Sequence, residues 1–179
     1  MNLPAKYALF DGGVISQSYA ITDLRHYPNA RPLYADLGAE AASAGPWVAE
    51  ADAPILDLVD AITADEALCV GVSILDVSAD FSALENHLQW LRFIRSQSAG
   101  KKYFFRYADA RALSSLWKVL TISQRSALLG PINTWQLINE HVFLYAPSGR
   151  QAEIKVYDRE GVIERWGVPP EKIIDLLGL

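Results

Sequence analysis

The chain has 179 residues, 51% apolar and 21% charged, with 16 basic against 21 acidic side chains and a net charge of −5. That balance excludes intrinsic disorder, the single cysteine, Cys69, excludes a disulfide framework, and the basic residues read as scattered, without the surplus a nucleic-acid binder sets against phosphates. The longest apolar stretch, Leu68 to Leu75, is far short of the roughly 20 residues of a membrane helix, and the run between Lys6 and Asp11 is too short for a signal peptide, so one cytoplasmic globular domain with no nucleic-acid or membrane partner is expected.

Residues 5–10 form a short apolar and aromatic run stopped by Asp11-Gly12-Gly13, the pattern of a strand ending in a turn. Arg31 to Leu37 and Gly45 to Val48 read as two further extended pieces. Asp52 caps a helix with Pro54 in its first turn and Ile55, Leu58, Val59 and Ile62 on one face. Leu68 to Leu75 is nearly continuous in apolar character, as expected of a strand buried on both faces of a helix-covered sheet.

The next helix, expected over 80–96, starts at Asp80 or at Ser82, the latter with Glu85 placed for a capping box. Phe81, Leu84, Leu88, Trp90, Leu91 and Ile94 share one half of its wheel with His87, while Phe93 points the other way. Lys101 to Tyr107 reads as a strand, with 5–10 and 68–75 as sheet neighbours. Asp109 caps a helix carrying Leu113, Leu116, Trp117 and Leu120, and a further short helix stops at Gly130-Pro131. Strands follow at 142–145 and, as a hairpin, at 153–157 and 162–166. Pro169-Pro170 opens a last helix with Ile173, Ile174 and Leu177. The class is α/β: a helix-covered mixed sheet with a small C-terminal β-hairpin-plus-helix extension.

No spacing of His, Cys, Asp and Glu matches a metal site, and no nucleotide-binding or hydrolase motif is present, so neither metal nor cofactor is expected. Asp11 can be a strand-end nucleophile or, more simply, a turn residue beside permissive glycines. His87 has the chemistry of a general base but sits on an apolar helix face, where a hydrogen-bonded core histidine is commoner. Arg106 and Asp109 fit an acid/base pair with it or, equally, an ion pair and a helix cap, with Arg111 in reach of Asp109. The tryptophans read as core residues.

The order of segments is more informative. Tyr7-Ala8-Leu9-Phe10-Asp11-Gly12, Leu33-Tyr34, Gly45-Pro46-Trp47-Val48, His87-Leu88-Gln89, Phe104-Phe105-Arg106-Tyr107-Ala108-Asp109-Ala110-Arg111 and Gly130-Pro131 to Trp135 follow one another. This series resembles the domain of unknown function of type VI secretion effector chaperones, or effector-loading adaptors, over about residues 7–136. Here Gln89 replaces an arginine of the pattern and Ala110 a proline.

The resemblance implies a non-enzymatic cytoplasmic protein without catalytic residues. It would bind a cognate type VI effector and assist its loading onto the VgrG spike protein. Residues 1–136 would be the adaptor domain, with 137–179 a short variable extension packed on it. His87, Arg106, Asp109 and Arg111 would be structural members of the family motif. Phe93, opposite the buried arc of the 80–96 helix, is either covered by a further layer such as the C-terminal tail or is a partner-binding residue in an apolar patch that docks on an effector segment. The alternatives are a small hydrolase using Asp11 or His87 with Arg106 and Asp109, and a toxin-neutralising immunity protein.

Overall fold

The computed structural model describes residues 5–17, 23–95, 102–138 and 142–145. In chain order these form β1 (Ala5–Asp11), α1 (Gly12–Ile15), β2 (Arg31–Pro32), α2 (Ala39–Ala44), β3 (Pro46–Glu50), α3 (Ala53–Thr63), β4 (Val72–Val77), α4 (Phe81–Trp90), β5 (Phe93–Arg95), β6 (Lys102–Phe104), α5 (Ala110–Trp117), α6 (Ile122–Leu129), β7 (Ile132–Leu137) and β8 (Val142–Tyr145). Six strands make one sheet in the order β2-β3-β1-β4-β7-β8, and β5 and β6 make a separate two-stranded ribbon. The α/β class holds, and every described strand pairing is antiparallel rather than mixed.

Alternation along β1 explains the layering, because successive side chains of a strand face opposite sides of the sheet. Tyr7 and Leu9 point into a core with Leu84 and Leu88 of α4, Leu113, Leu116 and Trp117 of α5, and Leu128 and Leu129 of α6. Ala8 and Phe10 point into a second core with Val14 and Ile15 of α1 and Ile55, Leu58, Val59 and Ile62 of α3. Both faces are therefore covered, and each buried Leu or Phe contributes roughly 1.5–3 kcal/mol. One buried polar pair interrupts the first core: the Trp135 indole donates to the Ser73 hydroxyl at 2.9 Å, on neighbouring strands.

Helix starts follow the sequence closely. Asp52 accepts from the Ile55 amide, and Asp80, rather than Ser82, accepts from the Ala83 amide at 2.8 Å. Thr121 and Gln124 form a reciprocal capping box on α6.

Several boundaries differ from expectation. Residues Cys69–Gly71 form a 3-10 turn, so β4 begins at Val72, and only Arg31–Pro32 of the 31–37 run is strand, with Ala35–Leu37 a second 3-10 turn. The helix expected to reach residue 96 stops at Trp90. The segment after it pairs Phe93 with Phe104 and Ile94 with Tyr103. Residues 102–104 therefore leave the main sheet, and the expected neighbours of β1 reduce to β4. A short apolar run reads alike as helix or strand by periodicity, and the Phe105 amide, donating to the Arg92 carbonyl at 2.9 Å, fixes the ribbon. Trp90, placed in the buried arc, is 54% exposed, whereas Trp47, Trp117 and Trp135 are buried.

The sheet runs past residue 136 through Leu137 into β8. The hairpin and helix expected beyond residue 150 lie outside the described residues, as does Trp166. Among the described residues no helix is long and apolar enough to cross a membrane.

The turn after β1 depends on Gly12. A Cβ there would stand 2.3 Å from the Ser43 carbonyl oxygen and 2.6 Å from that of Gly45, both backbone atoms that cannot swing aside. The Gly12 amide also donates to Gly45 at 3.0 Å. Gly12→Ala is expected to destabilise the fold by about 1–3 kcal/mol, the usual cost of overpacking, read as a lowered midpoint in thermal unfolding followed by circular dichroism.

Candidate functional site

The sheet delivers Asp11 to the C-terminal end of β1, where its carboxylate caps α1 by accepting from the Val14 amide at 3.1 Å. The residue is only 4% exposed, so its charge needs a partner. Arg106 supplies it from 95 positions away: Nη2 donates to both carboxylate oxygens, at 3.0 and 2.8 Å. Arg106 follows β6, where the chain turns into α5, and its Nη2 also lies 4.0 Å from Asp109.

Asp109 in turn caps α5, accepting from the Arg111 amide at 3.0 Å, and receives two bonds from the Arg111 side chain at 3.0 and 2.8 Å. Burial alone would raise the Asp109 carboxyl, but the Arg111 hydrogen bonds and the Arg111 and Arg106 charges outweigh it and hold it below the usual carboxylate range. Asp11, Arg106, Asp109 and Arg111 thus form one alternating chain of opposite charges joining β1 to α5.

Above this knot lies a cavity of about 30 Å³ lined by Asp11, Tyr34, Gly45, Pro46, Phe104, Arg106 and Tyr107, among others. It has room for one or two waters, against 300–1,000 Å³ for typical small-ligand pockets. Burial pushes the Tyr34 hydroxyl up to about 12, and the Tyr107 hydroxyl is pushed well above its ordinary range by the same cause. Both phenols are neutral at physiological pH.

Four of the segments that carry the family resemblance, around residues 7–12, 33–34, 45–48 and 104–111, meet here. Tyr34, Gly45, Phe104 and Tyr107 were not singled out as site residues by sequence reading. Their place inside those segments is the signal the sequence offers.

His87 stands apart from that knot. Its Nε2 donates to the Leu128 carbonyl at 2.8 Å, its ring stacks on Trp90 with centroids 5.8 Å apart, and it lies against Gly130 so closely that a Cβ there would meet it at 2.4 Å. Gly130 also has φ +52°, the left-handed region that favours glycine. Desolvation lowers the His87 pKa, although the Leu128 bond works against that. The ring couples α4 to the end of α6 and contributes nothing to the Asp11–Arg106 constellation that a hydrolase would require.

Phe93 is not on the outer face of α4 but on β5, where it is 37% exposed. Its ring meets Phe104 edge-on, with centroids 5.8 Å apart, and carries the Lys102 ammonium 3.9 Å above its centre. Among the described residues no group of three or more His, Cys, Asp or Glu side chains is placed to hold a metal ion. Cys69 donates to the Glu66 carbonyl, and burial, assisted by Glu66 and Asp65, pushes its thiol up, the reverse of what a nucleophilic thiolate needs.

Two measurements test these roles. Asp109→Ala removes a cap worth ~1 kcal/mol and the anchor of two arginines, so a lower unfolding midpoint is expected; Arg106→Gln, which leaves the buried Asp11 charge without its cation, should lower it at least as far. The His87 ring is held neutral in the fold while the unfolded chain protonates near pH 6.5. Its stabilisation is therefore present above about pH 6.5 and lost as the pH falls below that value. Melting curves between about pH 7.5 and 5.5 should fall with acidification in the native protein and flatten in His87→Gln, which keeps a donor for Leu128 without the titration.

The family model described as Domain of unknown function (DUF4123) matches residues 6–127. No curated protein and no solved structure matches the chain. The match runs from the start of β1 through most of α6 and spans both halves of the Asp11–Arg106 pair. The chain belongs to the DUF4123 family.

Proposed function

We propose that this protein is a non-enzymatic adaptor that binds a cognate type VI effector in the cytoplasm of the producing cell and assists its loading onto the VgrG spike. The reading rests on the segment series that resembles effector chaperones. One structural observation supports it most: the polar residues of those segments are consumed in a structural knot. Asp11 and Asp109 each cap a helix and each hold an arginine, and the adjoining cavity has water-scale volume. A hydrolytic carboxylate needs a substrate within hydrogen-bond reach and a pocket to hold it.

The same end of the molecule also presents aromatic surface. Phe93 and Phe104 are exposed side by side on one face of a two-stranded ribbon, with Tyr103 exposed on the other, and aromatic side chains are the usual anchors of protein–protein contacts. The ribbon is built on the rigid knot through Arg106, so its contact residues are held in place before a partner arrives, which lowers the ordering cost of binding.

Co-expression with a type VI effector taken from the neighbouring genes tests the proposal. The native chain is expected to co-purify with that effector, and Phe93→Asp to keep the native melting profile while losing the complex. Failure of the native chain to retain any neighbouring type VI effector overturns the adaptor reading. Loss of folding in Phe93→Asp would instead place Phe93 in the core.

A further inference from the structure

The ribbon carries a charge pattern opposite to that of the rest of the chain. Residues 92–106 hold five basic side chains (Arg92, Arg95, Lys101, Lys102 and Arg106) and no acidic one, whereas residues 1–91 hold three basic and thirteen acidic. Five of the sixteen basic residues thus fall within the fifteen positions of the sequence that also hold Phe93, Tyr103 and Phe104.

The contacts form one continuous stripe. The Lys102 ammonium stands over the Phe93 ring at 3.9 Å, Phe93 meets Phe104 at 5.8 Å, and Phe104 meets the buried Tyr34 ring at 5.4 Å. Phe104, Tyr34 and Arg106 then line the same cavity. Arg106 is half exposed while its partner Asp11 is buried beneath it, so the cation is the outward part of that pair. Arg92 is fixed by Asp36 at 2.7 Å, which holds the start of β5 against the 35–37 turn.

Cations thus stand at both ends of an apolar, aromatic centre. We infer that the stripe Lys102–Phe93–Phe104–Arg106 is the docking surface for a short acidic segment of a partner protein, with apolar residues at its middle and carboxylates at its two ends. Apolar residues of the segment cover the two phenylalanine rings, and the carboxylates meet Lys102 and Arg106. Charge complementarity selects this occupant: a basic segment would be repelled at the Lys102 end, where like-charge juxtaposition discriminates against wrong partners, and at the other end the half-exposed Arg106 guanidinium, not the buried Asp11 carboxylate, faces outward. The inference deepens the adaptor reading and rests on it for the biological identity of the partner, not for the chemistry of the surface.

The test uses the full chain and a fluorescein-labelled octapeptide with a Leu-Val-Phe-Leu centre and two glutamates at each end. A twin carrying lysines in place of the glutamates is the control, and binding is read by fluorescence anisotropy at about 0.05 M and about 0.5 M salt. The glutamate peptide is expected to bind roughly tenfold or more tightly than its twin and to weaken in high salt. Phe104→Ser should weaken both peptides, and Lys102→Glu should narrow or reverse the preference, with melting profiles unchanged in each variant.

Equal affinity for the two peptides, no binding of either, or binding untouched by both variants overturns the inference. So does tighter binding of a labelled oligothymidine through the same residues, which would make the stripe a nucleic-acid site. A concentration-dependent dimer dissolved by Lys102→Glu overturns it too, as a contact between copies. If both variants still retain the neighbouring effector, the stripe is wrong and the adaptor reading stands. If the native chain retains no effector but discriminates the peptides as expected, the stripe stands and the adaptor reading falls.

Discussion

The buried carboxylate of Asp11 is the constraint around which this end of the molecule is arranged. A charge at the end of a central strand, almost wholly removed from water, is tolerable only if hydrogen bonds and a counter-charge replace the lost solvation. Here the α1 amide provides the first and Arg106 the second. Because the guanidinium must reach the end of β1, the chain between β6 and α5 is held there as well. Asp109 and Arg111 then complete the cap of α5. The positions of the ribbon, of the Tyr34–Tyr107 pair and of the cavity between them follow from that one requirement.

Much of the scaffold was legible because its determinants are local. The caps at Asp52, Asp80 and Asp109 are set by a short side chain meeting an amide two or three residues on, and the apolar faces of α3 and α5 carry the helical period directly. Asp109 with Arg111 is likewise a two-residue affair. The Asp11–Arg106 pair was not legible, since nothing local in Asp11-Gly12-Gly13 tells which distant cation will neutralise the carboxylate. In sequence Arg106 reads as the ion-pair partner of nearby Asp109, whereas in the fold its hydrogen-bonded acceptor is Asp11 and Asp109 lies 4.0 Å away.

The misplacement of residues 91–104 has a related cause. Leu91 and Ile94 continue the apolar spacing of α4 and so read as its last turn, and both do pack on the same core. The backbone between them nevertheless leaves the helix, because Phe93 and Phe104 pair across the ribbon and the Arg92 carbonyl is taken by Phe105. Burial periodicity constrains where a side chain ends up more tightly than the backbone path that brings it there. The same loss of information hid the aromatic stripe, whose members come from strands on either side of an intervening segment.

The 95-residue separation of the Asp11–Arg106 pair also has a consequence for how the chain is made. At about 5–20 residues per second, a nascent chain exposes β1 roughly 5–20 s before its arginine has been synthesised. During that interval the strand's end carries a charge that its final position cannot accept unpaired. β1 also lacks first β3 and then β4, the strands that flank it in the sheet. Such non-local closure is slow compared with helix formation. Both strands that set the register of β1 are made before α5, so the ion pair is the last of the contacts at that strand end to become possible and fastens a register its neighbours have already defined.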